Sequence, residues 1–111
     1  MTTVSTHVLD TARGRPAEGV PVTFEVLDGG VWQRVGREVS GTDGRVTGLP
    51  PAGAAGPVHA RLVFTVREYL IRTHGAAFFR EITVAFEAEP GEHYHVPLLL
   101  APFGYSAYRG S

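Results

Sequence analysis

Alternation of apolar and polar residues over short segments is the feature that most constrains this chain. Residues 20–27 read VPVTFEVL, with Val or Phe at every even-numbered position. Successive side chains of a β-strand point to opposite faces, so this pattern predicts a half-buried strand. Similar patterns recur in residues 4–10, 31–40, 58–65, 82–87, 93–100 and 105–109. The chain is therefore predicted to be mainly β, with about seven or eight strands in a two-sheet β-sandwich.

Glycine and proline predict how these strands are connected. Gly29 and Gly30 separate two of the predicted strands, and a two-residue Gly-Gly loop supplies the positive φ angles of a tight hairpin turn. We therefore expect residues 20–27 and 31–40 to pair. Pro97 interrupts a later strand and is expected at an edge or a bulge, because proline cannot donate to a sheet ladder.

One segment departs from the strand pattern and predicts a single short helix over residues 66–74. Thr65 is a candidate N-cap, and Glu68 three residues on would complete a capping box. Gly75 offers the left-handed residue at which helices commonly end. Residues 49–57, which are rich in Pro, Gly and Ala, predict an exposed loop.

Length, charge and cysteine content narrow the class of protein. A chain of 111 residues is in the range of one compact domain, so residues 1–111 are predicted to form a single domain. The net charge of −1 gives no indication of a broad positively charged surface that would bind nucleic acid or an anionic membrane. The absence of cysteine excludes disulfides and thiolate nucleophiles. Residues 1–5 lack the pattern of a signal peptide, and a cytoplasmic location is predicted.

Histidine and arginine supply the candidate reactive groups. His7 lies on the polar face of the first strand beside Ser5, where it could exchange a proton near neutral pH or be a half-exposed strand residue. Arg45 follows a turn, where its planar guanidinium could bind a carbonyl or an anion, or could simply be solvated. His93 and His95 share one face of a strand. Such a pair can bind a metal, but no acidic partner stands at a fixed spacing.

Other polar residues are interpreted as structural. His59 shares a strand face with Arg61, and His74 lies in the last turn of the predicted helix, where the helix dipole favours a cation. Asp10 could orient an imidazole, or could tether the turn over residues 11–15 through its side chain.

The C-terminal segment contains more aromatic surface than a frayed terminus. Phe103, Tyr105 and Tyr108 are expected to dock this segment against the core. Docking would hold Arg109, the hydroxyl of Ser111 and the terminal carboxylate in fixed positions, as a ligand site requires.

Three parts of the chain together carry a family resemblance. They are STHVLD at residues 5–10, DGR at residues 43–45, and YHVPLLL at residues 94–100 running into YSAYRGS at residues 105–111. The chain resembles the 5-hydroxyisourate hydrolase family in order and spacing over essentially its whole length. The resemblance implies a transthyretin-like (prealbumin-type) sandwich of two four-stranded sheets, assembled as a dimer of dimers into a homotetramer with active sites where dimers meet.

The resemblance also implies an activity and a site. The family hydrolyses 5-hydroxyisourate to 2-oxo-4-hydroxy-4-carboxy-5-ureidoimidazoline in urate catabolism, without metal or other cofactor. The two matching histidines would hold and deprotonate water, while arginines stabilise the oxyanion. His93 is outside the family motif. The residues carried over are His7, Arg45 and His95 as catalytic groups, and Tyr108, Arg109, Gly110 and Ser111 as substrate-binding groups.

Two other functions compete with this one. A non-enzymatic transthyretin-like protein would carry a small ligand in the central channel of the tetramer, but Tyr108 and Arg109 would close that channel. A plain β-sandwich interaction domain would give no special role to His7, Arg45 or His95. Neither alternative involves nucleic acid or a membrane.

Overall fold

The computed structural model describes residues 1–53 and 56–111. Within these ranges the chain forms ten strands and one helix. The elements in chain order are β1 (Thr3–Asp10), β2 (Arg15–Pro16), β3 (Pro21–Asp28), β4 (Val31–Val39), β5 (Arg45–Val46), β6 (Val58–Phe64), α1 (Arg67–His74), β7 (Ile82–Ala88), β8 (His93–His95), β9 (Leu98–Ala101) and β10 (Gly104–Ala107).

The strands form two sheets, which confirms the predicted transthyretin-like sandwich. One sheet has the order β4-β3-β6-β7, with antiparallel neighbours throughout. In the other, β8 and β9 run parallel to β1 along one edge, and the short strands β5 and β2 pair antiparallel with it along the other. Strand β10 pairs with β9. This sheet therefore also has four strand positions side by side, filled by β10, by β8 and β9, by β1, and by β5 and β2.

The predicted hairpin is confirmed. Strands β3 and β4 pair from Pro21 opposite Val39 to Asp28 opposite Val31. Gly29 and Gly30 have φ angles of 60° and 80°, a region that costs other residues free energy because of their Cβ atom.

The inner faces of the sheets form a hydrophobic core. Its largest fully buried side chains include Phe24 on β3, Leu62 and Phe64 on β6, and Leu98 on β9. The helix α1 contributes Leu70 to the same core. No helix in the described part of the chain is long and apolar enough to cross a bilayer. Location in the cytoplasm stays a prediction.

The start of the helix differs from the prediction. The N-cap is Val66, which has no side-chain capping bond, so the capping box of Thr65 and Glu68 does not form. The carbonyl oxygen of Arg80 instead accepts the N–H groups of Val66 and Arg67, at 3.2 Å each, and so satisfies two N–H groups at the helix start that have no partner within the helix. The end is as predicted, because Gly75 is left-handed at φ 76°.

Two loop predictions were also wrong in part. Pro97 does not lie at a bulge: it falls between β8 and β9, where the pairing with β1 is interrupted, and the register with β1 is unchanged across it. In segment 49–57, Leu49 and Ala52 are buried. Ala52 exchanges two backbone hydrogen bonds of 2.8 Å with Thr2, while residues 54 and 55 lie outside the described residues.

A buried carboxylate ties helix α1 to the end of β1. Both Tyr69 Oη and His74 Nε2 donate to Asp10 Oδ2 at 2.7 Å, and Oδ1 accepts the N–H groups of Ala12 and Arg13 at 3.1 Å. Asp10 thus both orients an imidazole and tethers its turn. Burial alone would raise the pKa of Asp10, but these hydrogen bonds outweigh it and lower the pKa below 3.8.

Removing one donor from this carboxylate is expected to destabilise the fold. Tyr69→Phe leaves Asp10 Oδ2 short of a hydrogen bond in a buried setting, which costs about 1–3 kcal/mol. Chemical denaturation at pH 7 measures this difference, with Thr42→Val as the control because it removes a hydroxyl from an exposed side chain. Equal unfolding free energies for the two variants would contradict the prediction. Since the pKa of Asp10 is lowered, its contribution is present at neutral pH and is lost as pH falls through the folded pKa.

Candidate active site

Strand β1 places a row of polar side chains on the outer face of its sheet. Ser5 and His7 share this face because they are two residues apart. The register brings His95 beside Ser5 and Arg45 beside His7. The structure thus brings together His7, Arg45 and His95, three residues that lie far apart in the sequence.

The turn before β5 fixes His7 and Arg45. His7 Nε2 bonds to the carbonyl oxygen of Asp43 at 2.7 Å. A carbonyl can only accept, so Nε2 carries a proton and Nδ1 is the basic nitrogen of the neutral ring. Asp43 Oδ1 accepts the N–H of Arg45 at 3.0 Å, and Oδ2 lies 3.9 Å from its Nε.

Gly44 makes this turn possible. Its φ angle is 77°, and a Cβ atom at this position would overlap the carbonyl oxygen of Val8. That same Cβ would lie 3.3 Å from Cδ2 of His7. The close approach therefore requires glycine between the acid and the arginine.

His95 is held at one ring nitrogen and is partly buried. Its Nδ1 lies 2.8 Å from Ser5 Oγ. Burial first, and then the charges of Arg45, His7 and His93, lower the pKa of His95 below its ordinary value of 6.5. The ring is therefore neutral at neutral pH, which is the form that can take a proton from water.

The C-terminal segment contacts His95 through its backbone. The N–H of Gly110 donates to the carbonyl oxygen of His95 at 2.7 Å. A Cβ on Gly110 would lie 2.8 Å from Cδ2 of the His95 ring, so glycine is again needed for close approach. The guanidinium of Arg109 lies 4.5 Å above the ring of Tyr94, with Nη2 3.7 Å from Glu92 Oε1.

The aromatic residues do not dock this segment as predicted. Phe103, Tyr105 and Tyr108 are 75%, 47% and 54% exposed, although the ring of Tyr105 stacks edge-on against Phe79 at 5.2 Å. The backbone bond of Gly110 and the stacking of Arg109 hold the segment instead. Tyr94 is buried, and its ring lies on the side of the sheet opposite the His95 ring because neighbouring residues of a strand point to opposite faces. The guanidinium of Arg109, which packs on the Tyr94 ring, therefore lies on that side as well.

Tyr108 and Arg109 line a cavity of about 220 Å³ on that side. A larger cavity, of about 640 Å³, lies elsewhere, among Arg13, Arg15 and Arg72. The residues His7, Arg45 and His95 line an open sheet face. The remaining residues around the smaller cavity are Val84, Phe86, Glu87, Tyr94, Val96 and Ala107.

Two contacts at the site were missed by sequence reasoning. Ser5 was noted only as a neighbour of His7, and its bond to His95 depends on the parallel pairing of β1 with β8. The carbonyl oxygen of Asp43 is a backbone atom, which no residue pattern identifies as a partner of His7.

Comparisons with a family model, with related sequences and with a solved structure all relate this chain to the same family. Residues 4–110 match the HIUase/Transthyretin family. The chain is 41% identical over 109 residues to the 5-hydroxyisourate hydrolase of Salmonella dublin, covering 97% of this chain and 80% of that one. It is 40% identical over 123 aligned residues to the uric acid degradation bifunctional protein TTL of Arabidopsis thaliana, covering 97% of this chain and 37% of that protein. The solved structure of Klebsiella pneumoniae 5-hydroxyisourate hydrolase superposes with a TM-score of 0.81 at 32% identity, covering 98% of this chain and 99% of the other.

Proposed function

Because the chain belongs to the HIUase/transthyretin family, we propose that it is an enzyme that hydrolyses 5-hydroxyisourate to 2-oxo-4-hydroxy-4-carboxy-5-ureidoimidazoline in urate catabolism. One observation carries the proposal. A partly buried imidazole with a lowered pKa, His95, shares a sheet face with a second imidazole and a guanidinium. This set combines a base with a group that can stabilise negative charge.

His95 is the general base of the proposed reaction. Its neutral ring takes a proton from water, and the resulting hydroxide adds to the ring carbonyl of the substrate. The ring C–N bond then breaks, and the proton returns to the leaving nitrogen. His7 is held by Asp43 through Nε2, so it can help orient the water through Nδ1.

Arg45 stabilises the oxyanion that develops on the attacked carbonyl. Asp43 accepts the backbone N–H of Arg45 at 3.0 Å and its carboxylate lies 3.9 Å from Nε, so the turn places this exposed, charged side chain beside His7. Preorganised charge of this kind typically contributes about 10²- to 10³-fold in rate. The proposed substrate-binding groups are Tyr108, Arg109, Gly110 and Ser111. Of these, Gly110 bonds to the carbonyl oxygen of His95 and Ser111 follows it. Tyr108 and Arg109 line the other side of the sheet within one chain, so in the proposed tetramer they would complete a site across a subunit boundary.

The proposed active form is a homotetramer, a dimer of dimers with sites where dimers meet. Strands β7 and β10 each end a sheet in the described chain, leaving one side of each without a partner strand. Phe103, Tyr105 and Tyr108 expose apolar surface near β10, as residues that become buried in an interface do. Light scattering coupled to size exclusion measures the mass, and a monomer at micromolar concentration would contradict this assembly.

Activity is tested directly with fresh substrate. Urate oxidase generates 5-hydroxyisourate in the cuvette, and its absorbance is followed with and without this protein. We expect decay to accelerate in proportion to protein concentration. A decay rate equal to that in buffer would refute the enzymatic function, and saturable ligand binding without turnover would favour a carrier.

The lowered pKa of His95 predicts the shape of the pH profile. The neutral ring is the active form, so kcat/KM should fall only as pH drops through a pKa below 6.5. Stopped-flow rates between about pH 5 and pH 8 test this, because the ordinary pKa of histidine lies inside that window. A midpoint above 6.5 on the acid side would contradict the assignment of His95 as the base.

A further inference from the structure

A chain of hydrogen bonds leads away from His95 to a histidine outside the proposed catalytic set. Ser5 Oγ lies 2.8 Å from His95 Nδ1 and 2.9 Å from His93 Nε2. The other ring nitrogen of His93, Nδ1, lies 2.7 Å from Thr3 Oγ1. Four side chains on one sheet face are thus connected in a row, and Ser5 is only 8% exposed at its centre.

The single proton of the Ser5 hydroxyl restricts how this row can be arranged. A neutral imidazole has one donor and one acceptor nitrogen. If Ser5 donates to His93 Nε2, it accepts from His95 Nδ1–H, and His93 Nδ1–H then donates to Thr3. If Ser5 donates to His95 instead, the proton of His95 moves to Nε2.

Only the first arrangement leaves His95 a basic nitrogen that can reach the substrate. In that arrangement Nδ1 of His95 carries the proton and Nε2 holds the free electron pair. Within the described ranges Nε2 has no hydrogen-bond partner, whereas Nδ1 is occupied by Ser5. Histidine tautomers are commonly set in this way, by the hydrogen bond that the other nitrogen makes.

We propose that Ser5 and His93 are positioning residues that hold His95 in the Nδ1–H tautomer, so that Nε2 is the base. The proposal rests on the hydrolase function proposed above. It gives a role to His93, which the family motif does not include, and to Ser5 of the motif STHVLD. Neither residue is assigned a contact with the substrate.

The tautomer is measured directly by the ¹⁵N chemical shifts of the His95 ring in the full-length protein at neutral pH. We expect the Nδ1–H form in the parent protein and an increased Nε2–H fraction in Ser5→Ala. The Nε2–H form in the parent protein would overturn the proposal. This measurement needs no substrate, so its outcome is independent of whether 5-hydroxyisourate is hydrolysed.

Kinetics provide a second measurement. Ser5→Ala and His93→Phe are expected to lower kcat by about 10- to 100-fold with little change in KM, the range typical of lost supporting contacts. His93→Gln keeps a hydrogen-bonding group near the position of Nε2 and should restore most of the loss, as should Ser5→Thr. His59→Gln, on the opposite sheet where His59 stacks on Trp32, is the matched control and should leave kcat unchanged.

The pattern across the variants decides between a positioning and a structural role. A loss in His93→Gln as large as in His93→Phe, or parent kcat in Ser5→Ala, would overturn the proposal. If Ser5→Ala fails to fold, His93→Phe and His93→Gln make the same comparison. A parent protein with no activity would refute the hydrolase function instead, while the ¹⁵N shifts still decide the tautomer.

Discussion

His95→Asn is expected to lower kcat for 5-hydroxyisourate by about 10²- to 10⁴-fold, the contribution typical of a positioned general base. Asparagine places its side-chain amide near the position of the His95 Nδ1 atom, so the contact with Ser5 can persist. It has no nitrogen that can take a proton at neutral pH. We therefore expect kcat to fall much more than KM rises.

The matched control for this variant is His59→Asn. His59 lies on β6, in the other sheet, and its ring packs edge-on against Trp32 at 4.9 Å. Loss of an imidazole there should leave kcat within about twofold, as for a residue outside the chemistry. Less than a tenfold loss in His95→Asn would contradict the role of His95 and would point to His7 as the base.

Deletion of residues 108–111 is expected to reduce activity by at least about 10²-fold, the scale seen when one preorganised donor is removed from a hydrolase site. The deletion removes the Gly110 N–H that bonds to the His95 carbonyl oxygen. It also removes Arg109 and Ser111, which are proposed to bind the substrate. Rates with freshly generated 5-hydroxyisourate measure the loss.

The fold should survive this deletion. The side chain of Tyr108 is half exposed, and the last strand, β10, ends at Ala107, so the core loses little buried area. Circular dichroism and the mass in solution check that the truncated chain is folded and assembled. Arg109→Gln and Ser111→Ala then divide the effect between the two side chains. Full activity of the folded truncated protein would refute the role proposed for the C-terminal residues.

Much of the fold could be predicted from local patterns. The strands follow from alternation, the hairpin from Gly29 and Gly30, and the helix end from Gly75, because each of these depends on neighbours in sequence. The helix start could not be predicted, since the carbonyl oxygen that satisfies its first donors belongs to Arg80. A residue distant in sequence thus replaced the local cap of Thr65.

In the candidate site, too, some features follow from local sequence patterns and others depend on contacts between residues distant in sequence. The polar face of β1 was predicted from the spacing of Ser5 and His7. The neighbours of that face depend on register, which places Arg45 opposite His7 and His95 opposite Ser5. The family resemblance grouped these residues without giving the contacts among them. The direction of Arg109 toward Tyr94 depends on packing at the end of the sandwich, which no local pattern describes.

The position of β1 has a consequence for how the protein is made. Its pairs with β8 and β9 join residues such as Thr3 and His93, separated by 90 positions. Contacts of such long range form slowly, because a long loop must close before they contribute. During synthesis the first strand leaves the ribosome well before the partners that complete its sheet. The face with His7 and His95 is therefore completed only after residue 95 has been synthesised, and a nascent chain that ends before that residue lacks the proposed base.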